Sequence, residues 1–540
     1  MLVPDQGKER KSMYEKRDSS QRIADVVHRN TGMDTDTFLH PERMPYLAGL
    51  HEAAACFMAH RDEPVTVVGD YDVDGICATA ILVLGLRKLG IRAAYRLPRR
   101  FSEGYGLSEA IIDEIRSGVV VTCDNGIAAL EAVRKAKRKG LTVIVTDHHQ
   151  AVRDREGRCV LPEADALVDP NAEETSTYRG YCGAGIAYRF VQEITGAEDV
   201  DLKILASLAT VADVMPLTGA NRLLVQEGLQ ELNQGGGVPG LRAILTAMGL
   251  TDHLTEEDYG FKLGPVCNAS GRLYDDGAER VLQVLLSDGD DPEIPERAEA
   301  LVRANQTRKQ ILSEAMPVAR RLVKGTPVVI YHPDFGEGII GLIAGNLQEE
   351  YHCPAVVFTK CEDGSLKGSG RSIPGVDLKQ ALDRIQDTMA GYGGHAGAAG
   401  IRLEAGKLDE FRNAFQAEIG EDTREIPDRK YDLDLTRKNL LSVQEELQCF
   451  APFGEGNPKP LLRMPFHVSA GSYRRIGDGS HLLFKGRTCS VLGFSLAQRY
   501  EEAGCPADLW CIGHLQEDWY QGECRMRFEL VDFETREEQS

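Results

Sequence analysis

With 540 residues the chain is too long for one ordinary domain, and its 42 % hydrophobic and 27 % charged content is that of a globular protein with real cores. No apolar run reaches the roughly 18 residues of a membrane span, the start lacks a signal-peptide core, and thirteen cysteines are scattered without a Cys-x-x-Cys pair. That pattern excludes a membrane protein, a disulfide scaffold and a zinc ribbon, and predicts the cytoplasm. A net charge of −21 excludes a broad positive field, so contact with nucleic acid must rest on local islands. The islands are "YRLPRRFSEGYG" (95–106), "KGSGRS" (367–372) and "SYRRIGDG" (472–479), each of which, taken singly, reads better as a solvated face.

Residues 1–62 read as a polar tail followed by a helical segment, "MPYLAGLHEAAACFMAH". From 63 to about 235, strand-like runs ("PVTVVGD", "VVVTCDNG", "LTVIVTDHH", "ALVDPN") alternate with "ATAILVLGLRKLG" and "IAALEAVRKAKRKG". Both of the latter read as amphipathic helices ending at Gly. Alternation of this kind predicts an α/β fold with a doubly wound parallel sheet, whose site lies beyond the carboxyl ends of the strands. Residues 236–323 form a connector with a long helical region over about 280–323. A second α/β unit covers 324–420. After the charged linker "GEDTREIPDRK", residues 425–540 are β-rich and predict a small barrel.

The acidic motifs follow the strands of the first α/β unit. "GDYDVDG" (69–75) places Asp70, Asp72 and Asp74 at alternate positions, where unneutralised carboxylates would repel each other. The D-x-D-x-D-G form resembles an EF-hand loop, but the twelfth position from Asp70 is Ile81 and not the required Glu. "VTCDNG" supplies Asp124, "VTDHH" supplies Asp147, His148 and His149, and "LATVADVMPL" supplies Asp213. Alone, Asp124 is an ordinary turn residue and Asp213 a helix cap. Together, carboxylates and imidazoles without thiolate suit two Mn²⁺ or Mg²⁺ ions in phosphodiester hydrolysis. A phosphorylatable aspartate or a nucleotide-sugar site does not need the double histidine. "YCGAGIAYRFV" (181–191) lacks the full dinucleotide fingerprint and reads as helix packing.

In order and spacing, "GDYDVDG", "CDNG", "DHH" and "TVAD" resemble the DHH phosphoesterase superfamily. "LPRRFSEGYGLS", "GPVCNASGRL", "GEGIIGLIAGNL", "KGSGRSIPGVDL", "GYGGHAGAAGI" and "FAPFGEGNPKPLL" are similar to its RecJ branch, the single-stranded-DNA exonucleases of bacteria, over roughly 35–535. The resemblance implies a DHH domain, a DHH-associated substrate-binding domain and a C-terminal OB-fold. It implies a metal-dependent exonuclease that degrades single-stranded DNA 5′ to 3′ and releases 5′-mononucleotides in repair and recombination. A single-strand-binding protein or a helicase is the candidate partner, and no membrane is involved.

By position, Asp72 and Asp124 would hold one cation, and Asp74, Asp124, His148 and Asp213 the other. Asp70 would be a supporting or third carboxylate, His149 would sit over the scissile phosphate, and Asp147 would brace the histidines. Arg100, Asn268, Arg272, Ser369, Arg371, Ser372 and His395 would contact substrate, with Arg474, Arg475 and Lys485 doing so in the barrel, where Arg487 belongs to the same basic-aromatic mix. Val266 stands where the branch commonly carries arginine, and Gly336 where it carries a polar residue. The alternatives are a DHH phosphodiesterase acting on short oligoribonucleotides or cyclic dinucleotides, and a non-catalytic nucleic-acid-binding replication factor.

Overall fold

The first five strands are β1 (Val65–Val68), β2 (Ala93–Arg96), β3 (Val119–Cys123), β4 (Thr142–Thr146) and β5 (Ala166–Val168). They pair in the order β2-β1-β3-β4-β5 and are all parallel. The chain leaves β1 to one side and returns to β3 on the other, so the topological switch lies between these two strands. β3, Val-Val-Val-Thr-Cys, is buried throughout, as expected of a strand covered on both faces. The structure is a computed structural model and describes residues 14–536 apart from Arg155, 173–174, 421–422, 426–427, Arg437, Arg487 and 521–522. Parts of the expected linker and Arg487 therefore lie outside the described residues.

Helix α1 (Val73–Lys88) was expected to be amphipathic but is buried around nearly its whole circumference. A second helical layer, α2 (Gly183–Thr195) and α3 (Val200–Ala212), covers the side that would otherwise face water. Gly85 makes this possible, because a Cβ there would stand 2.6 Å from Val191 Cγ1. The helix Leu130–Arg138 does show one buried stripe, formed by Ala132, Val133 and Ala136.

α4 (Gly219–Asn233) follows, then a five-residue π-helix, Tyr259–Leu263, that runs directly into α5 (Gly264–Leu273). The long helical region is split into Gly277–Leu286 and the 29-residue α6 (Ile294–Leu322), with the Asp- and Pro-bearing stretch 287–293 between them.

The second α/β unit comprises β6 (Val328–Tyr331), β7 (Ala355–Lys360), β8 (Leu366–Arg371), β9 (Gly391–Gly394) and β10 (Ala398–Leu403), in the order β9-β10-β8-β7-β6. Helix α7 (Ile340–Tyr351) packs its Ile343, Ala344 and Leu347 into the core on the β6–β7 side. The C-terminal unit contains β11 (Leu433–Asp434), β12 (Leu462–His467), β13 (Tyr473–Ile476), β14 (His481–Phe484), β15 (Cys489–Gly493), β16 (Asp508–Tyr520) and β17 (Glu523–Thr535). They form one mixed sheet, β11-β12-β16-β17-β15-β14-β13. Among the described residues no ladder joins the edge strands β11 and β13, so hydrogen bonds do not close the sheet into a full barrel.

The N-terminal segment divides between two units. Helix Leu50–Ala59 enters the core of the first unit, whereas Ile23, Val26, Val27 and Phe38 enter the core of the C-terminal unit. Strand Glu15–Lys16 pairs with Lys430–Tyr431. The stretch read as a tail is thus a clasp onto the far end of the chain. Arg222 on α4, 2 % exposed, strengthens the link by donating to the carbonyls of Cys449 and Ala451 (2.8 and 3.1 Å) while lying over the Phe38 ring. Among the described residues no helix is long and apolar enough to cross a membrane.

Candidate functional site

The acidic residues project from the ends of β1, β3 and β4 and from the first turn of α1 and the end of α3. Asp72 is the N-cap of α1, accepting from Gly75 N at 3.0 Å, and Asp213 is the C-cap of α3. Asp124 follows β3 with φ = 61°, a left-handed conformation that Asp tolerates better than most residues, and backbone strain of this kind concentrates at functional sites. Asp74 accepts from Gly183 N and Ala184 N at 2.6 and 2.8 Å, so the N-terminus of α2 holds both its oxygens.

These side chains converge. His148 Nε2 lies 3.1 Å from Asp124 Oδ1, 3.6 Å from Asp74 Oδ2 and 3.7 Å from Asp213 Oδ2. Potential ligand atoms of Asp74, His148 and Asp213 lie within 4.8 Å of one another, as do those of Asp70, Asp72 and Asp124, and those of Asp124, His148 and His149. Asp124 belongs to two of these triplets with no shared partner between them, which is the position of a bridging carboxylate. Asp70 groups directly with Asp72 and Asp124, in keeping with a third-carboxylate position. Asp147 is buried and accepts from Ile127 N (2.9 Å), His148 N (2.8 Å) and His149 Nδ1 (2.8 Å), so it fixes the corner that carries both rings. Asn171 adds a hydrogen bond to the His148 carbonyl.

Crowded carboxyls resist ionisation. Burial, with the Asp72 charge, pushes Asp70 well above the usual carboxylate range; burial with the charges of Asp74, Asp72 and Asp70 does the same to Asp124. Burial and Asp74 raise Asp213 to about 8. Burial also lowers His148, which favours the neutral imidazole that ligates metals. It opposes charge on His149 too, but there the Asp147 hydrogen bond prevails and raises the ring to about 9. Asp70 Oδ2 and Asp124 Oδ1 are buried oxygens that accept no hydrogen bond, a rare condition for such atoms. Oxygen donors with one imidazole and no thiolate fit hard divalent cations, and a cation among them would satisfy both the orphaned oxygens and the mutual repulsion.

Next to the aspartates lies an arginine cluster at the seam with the second α/β unit. Arg100 stacks over Tyr71 at 4.7 Å. Arg272 donates to the Gly338 carbonyl at 3.3 Å; burial, with the charges of Arg100, Arg308 and Arg371, lowers its pKa to about 9. Arg371 donates to Ser369 Oγ at 3.1 Å, and both crowd Gly341, where a Cβ would come within 3.0 Å of each. A cleft of about 1040 Å³ opens from Arg272 across the bare backbone of Gly391, Gly393 and Gly400, with Lys367 and Arg402 on its rim. Asn268 lies one helical turn before Arg272 on α5.

Other expected contacts are placed differently. The Ser372 hydroxyl donates to the Val376 carbonyl, closing a turn, and its N–H donates to the Gly397 carbonyl at the end of the β8–β10 pairing, so both donors are engaged. His395 is exposed and accepts from Gly397 N at 3.2 Å. Arg475 is engaged by Glu501 at 2.5 and 2.8 Å, whereas Arg474 and Lys485 are exposed with no carboxylate within ion-pair distance among the described residues.

Four participants escaped the sequence reading. Arg308 sits on α6, far from any basic island, and only folding brings it to the cluster. Tyr105 donates to the Asp124 carbonyl at 2.8 Å and lies 3.1 Å from His149 Nε2; its place inside the basic island at 95–106 was the available signal. Gly183 and Ala184, read as packing, hold Asp74, and a Cβ on Gly183 would collide with Asp124 Cβ at 2.4 Å.

Comparison with known proteins agrees with this architecture. The "DHH family, N-terminal domain" matches residues 64–212, the "DHHA1 domain" 325–421 and the "RecJ OB domain" 431–532. The chain is 34 % identical to the single-stranded-DNA-specific exonuclease RecJ of Salmonella typhimurium over 75 % of each protein. It is 33 % identical to that of Thermus thermophilus over 90 % of this chain and 71 % of the relative. The crystal structure of Thermus thermophilus RecJ with Mn²⁺ superposes with a TM-score of 0.79 at 28 % identity, covering 95 % of this chain and 76 % of that one. An exonuclease RecJ bound to manganese gives 0.61 at 29 % identity over 72 % and 98 %. With three family descriptions in chain order and relatives at a third identity over most of its length, the chain belongs to the RecJ family of DHH phosphoesterases.

Proposed function

We propose that the protein is a metal-dependent exonuclease that hydrolyses single-stranded DNA from the 5′ end and releases 5′-mononucleotides, acting in repair and recombination beside a single-strand-binding protein or a helicase. The observation that carries this reading is the convergence of Asp70, Asp72, Asp74, Asp124, His148 and Asp213 into groups within ligand-sharing distance, beside a cluster of arginines.

Asp70, Asp72 and Asp124 would hold one cation and Asp74, Asp124, His148 and Asp213 the other. Manganese is favoured, since relatives have been crystallised with Mn²⁺, and magnesium also binds a relative. Such a pair lowers the pKa of the attacking water and neutralises charge developing on the phosphate. The protein's own residues supply position and protons. Asp147 accepts the hydrogen bond of His149 Nδ1–H and keeps the ring charged, so that Nε2–H, next to the Tyr105 hydroxyl, can donate to a phosphate oxygen or the leaving oxygen. Arg100, Arg272, Arg308 and Arg371 grip the terminal phosphate, with Arg371 oriented by Ser369. A terminal phosphate held by these arginines would make cleavage proceed from a terminus.

The C-terminal sheet favours long strands over the short oligoribonucleotides or cyclic dinucleotides of other DHH phosphodiesterases, and a complete donor set is not that of a non-catalytic replication factor. The test is digestion of 5′-labelled and 3′-labelled single strands, DNA beside RNA, with Mn²⁺ and with chelator. The expected result is labelled mononucleotide at the first time point from 5′-labelled DNA alone, abolished by chelator. Mononucleotide released first from the 3′ label, or activity that survives chelation, would overturn the reading.

A further inference from the structure

Among the described residues, the two most exposed large hydrophobic side chains belong to segments that meet at the Asp213 end of α3. Val214, 66 % exposed, directly follows Asp213 and has φ = 55°, a costly conformation for a β-branched residue. Phe261, 79 % exposed, sits at the centre of the π-helix Tyr259–Leu263. Tyr259 and Leu263 anchor that turn from either side, each 1 % exposed, and Ser207 donates to the Tyr259 hydroxyl at 3.2 Å. A residue midway between anchors four apart points away from the core, and π-turns inside helices recur at functional sites.

The location of the turn is fixed by contacts along its length. A Cβ on Gly260 would lie 3.6 Å from Val211 Cγ1, and one on Gly264 3.4 Å from Ala212 Cβ, immediately before Asp213. At the other end of the rod, a Cβ on Gly271 would lie 3.5 Å from the Tyr71 carbonyl, beside Asp72. Phe261, Pro265, Asn268 and Arg272, spaced four, three and four, form one incompletely buried stripe about 16 Å long. The rod therefore packs against the Asp213 end of α3 and against the Tyr71 backbone beside Asp72, with Arg272 at one end of its incompletely buried stripe and Phe261 at the other. Beyond it the first unit meets the C-terminal unit: Leu217 N donates to Glu455 O at 2.7 Å, Phe453 N donates to Glu256 at 2.8 Å, and Lys459 pairs with Glu257 at 2.7 Å.

We propose that Phe261, with Val214 at the same end of α3, is the stacking platform for bases of the nucleotides just behind the scissile phosphodiester, on the way to the C-terminal sheet. Aromatic faces accept any base, so the platform holds the strand without reading sequence, and a paired base would not present its face to it. This inference rests on the exonuclease reading above.

The test uses the full chain and a 20-nucleotide single strand carrying one abasic site at each of the first six positions from the degraded end. Wild type is expected to bind and process the strand about 5- to 50-fold less tightly when the abasic site falls at one or two positions behind the cleaved bond. Phe261→Ala is expected to raise KM for the intact strand by a similar factor with kcat within about twofold, and to erase the positional dependence. Phe261→Trp is expected to restore both. Binding followed by anisotropy in chelator is expected to show the same pattern without turnover. An abasic profile in Phe261→Ala identical to wild type, or an equal loss on every abasic strand, would overturn the platform while leaving the nuclease intact. Failure of wild type to degrade the intact strand would instead sink the exonuclease reading itself.

Discussion

The acidic pocket and the C-terminal sheet are both expected to meet the substrate phosphates, yet they are built in opposite ways. In the pocket Asp70, Asp74, Asp124 and Asp147 are at most 2 % exposed, and Asp74 and Asp147 are held by backbone N–H groups. On the sheet Arg474 and Lys485 stand in solvent, and Arg475 is already half neutralised by Glu501. On the proposed reading, chemistry would depend on a few buried atoms whose places are over-determined, whereas contact along the sheet would depend on exposed charges that salt can screen. A net charge of −21 is compatible with this division, because neither region relies on the field of the whole molecule.

The largest break in the comparison comes from Asp124, which belongs to two of the three groups of ligand atoms and lies 3.1 Å from the His148 Nε2 of the third. Asp124→Asn keeps a side chain suited to φ = 61° and removes only charge. We expect single-turnover cleavage to fall at least about 1000-fold, beyond the 10- to 100-fold typical of a residue acting behind a ligand. The melting temperature in chelator should not fall, since a repelled carboxylate has been neutralised, while the upward shift on adding Mn²⁺ should shrink sharply. Retained turnover with a retained Mn²⁺ shift would show that Asp124 does not bridge.

Asp147→Asn sharpens the same contrast from behind the ligands. Asn still accepts from the backbone but no longer stabilises charge on His149. The expected loss in kcat is about 10- to 100-fold with little change in KM. A loss confined to KM would mean that Asp147 shapes the substrate path and not the reacting corner.

Much of the pocket was legible in the sequence for a physical reason. Parallel strands announce themselves as apolar runs, and an acidic residue directly after such a run has nowhere to go but the carboxyl edge of the sheet, as with Asp70, Asp124 and Asp147. The contributions of Arg308 and Gly183 were not legible, because each matters through an approach between separate segments of the chain: α6 to Arg272 on α5, and the α2 N-terminus to Asp124. The clasp formed by residues 14–39 was hidden similarly, since its apolar residues find their partners some 400 positions away. The fully buried α1 was misread as amphipathic because Arg87, Lys88 and a few small residues imitate a polar face, whereas the covering layer of α2 and α3 comes from later in the chain.

The smallest effects are expected on the sheet, and they separate residues that look alike in "SYRRIGDG". Arg474 and Arg475 are neighbours on the edge strand β13, so their side chains leave on opposite faces. Arg475 faces Glu501 together with the Tyr473 hydroxyl, and releasing it to a phosphate means breaking that pair first. Arg474 has no such competitor among the described residues. Arg474→Ala should therefore weaken binding of a long single strand a few-fold and reduce the slope of log affinity against log salt by about 0.7, the loss of one phosphate contact. Arg475→Ala should change that slope by less. Neither should alter kcat on a strand too short to reach the sheet. An unchanged slope in Arg474→Ala would place the strand on the other face of β13, and a larger change in Arg475→Ala would mean that Glu501 yields its partner when DNA arrives.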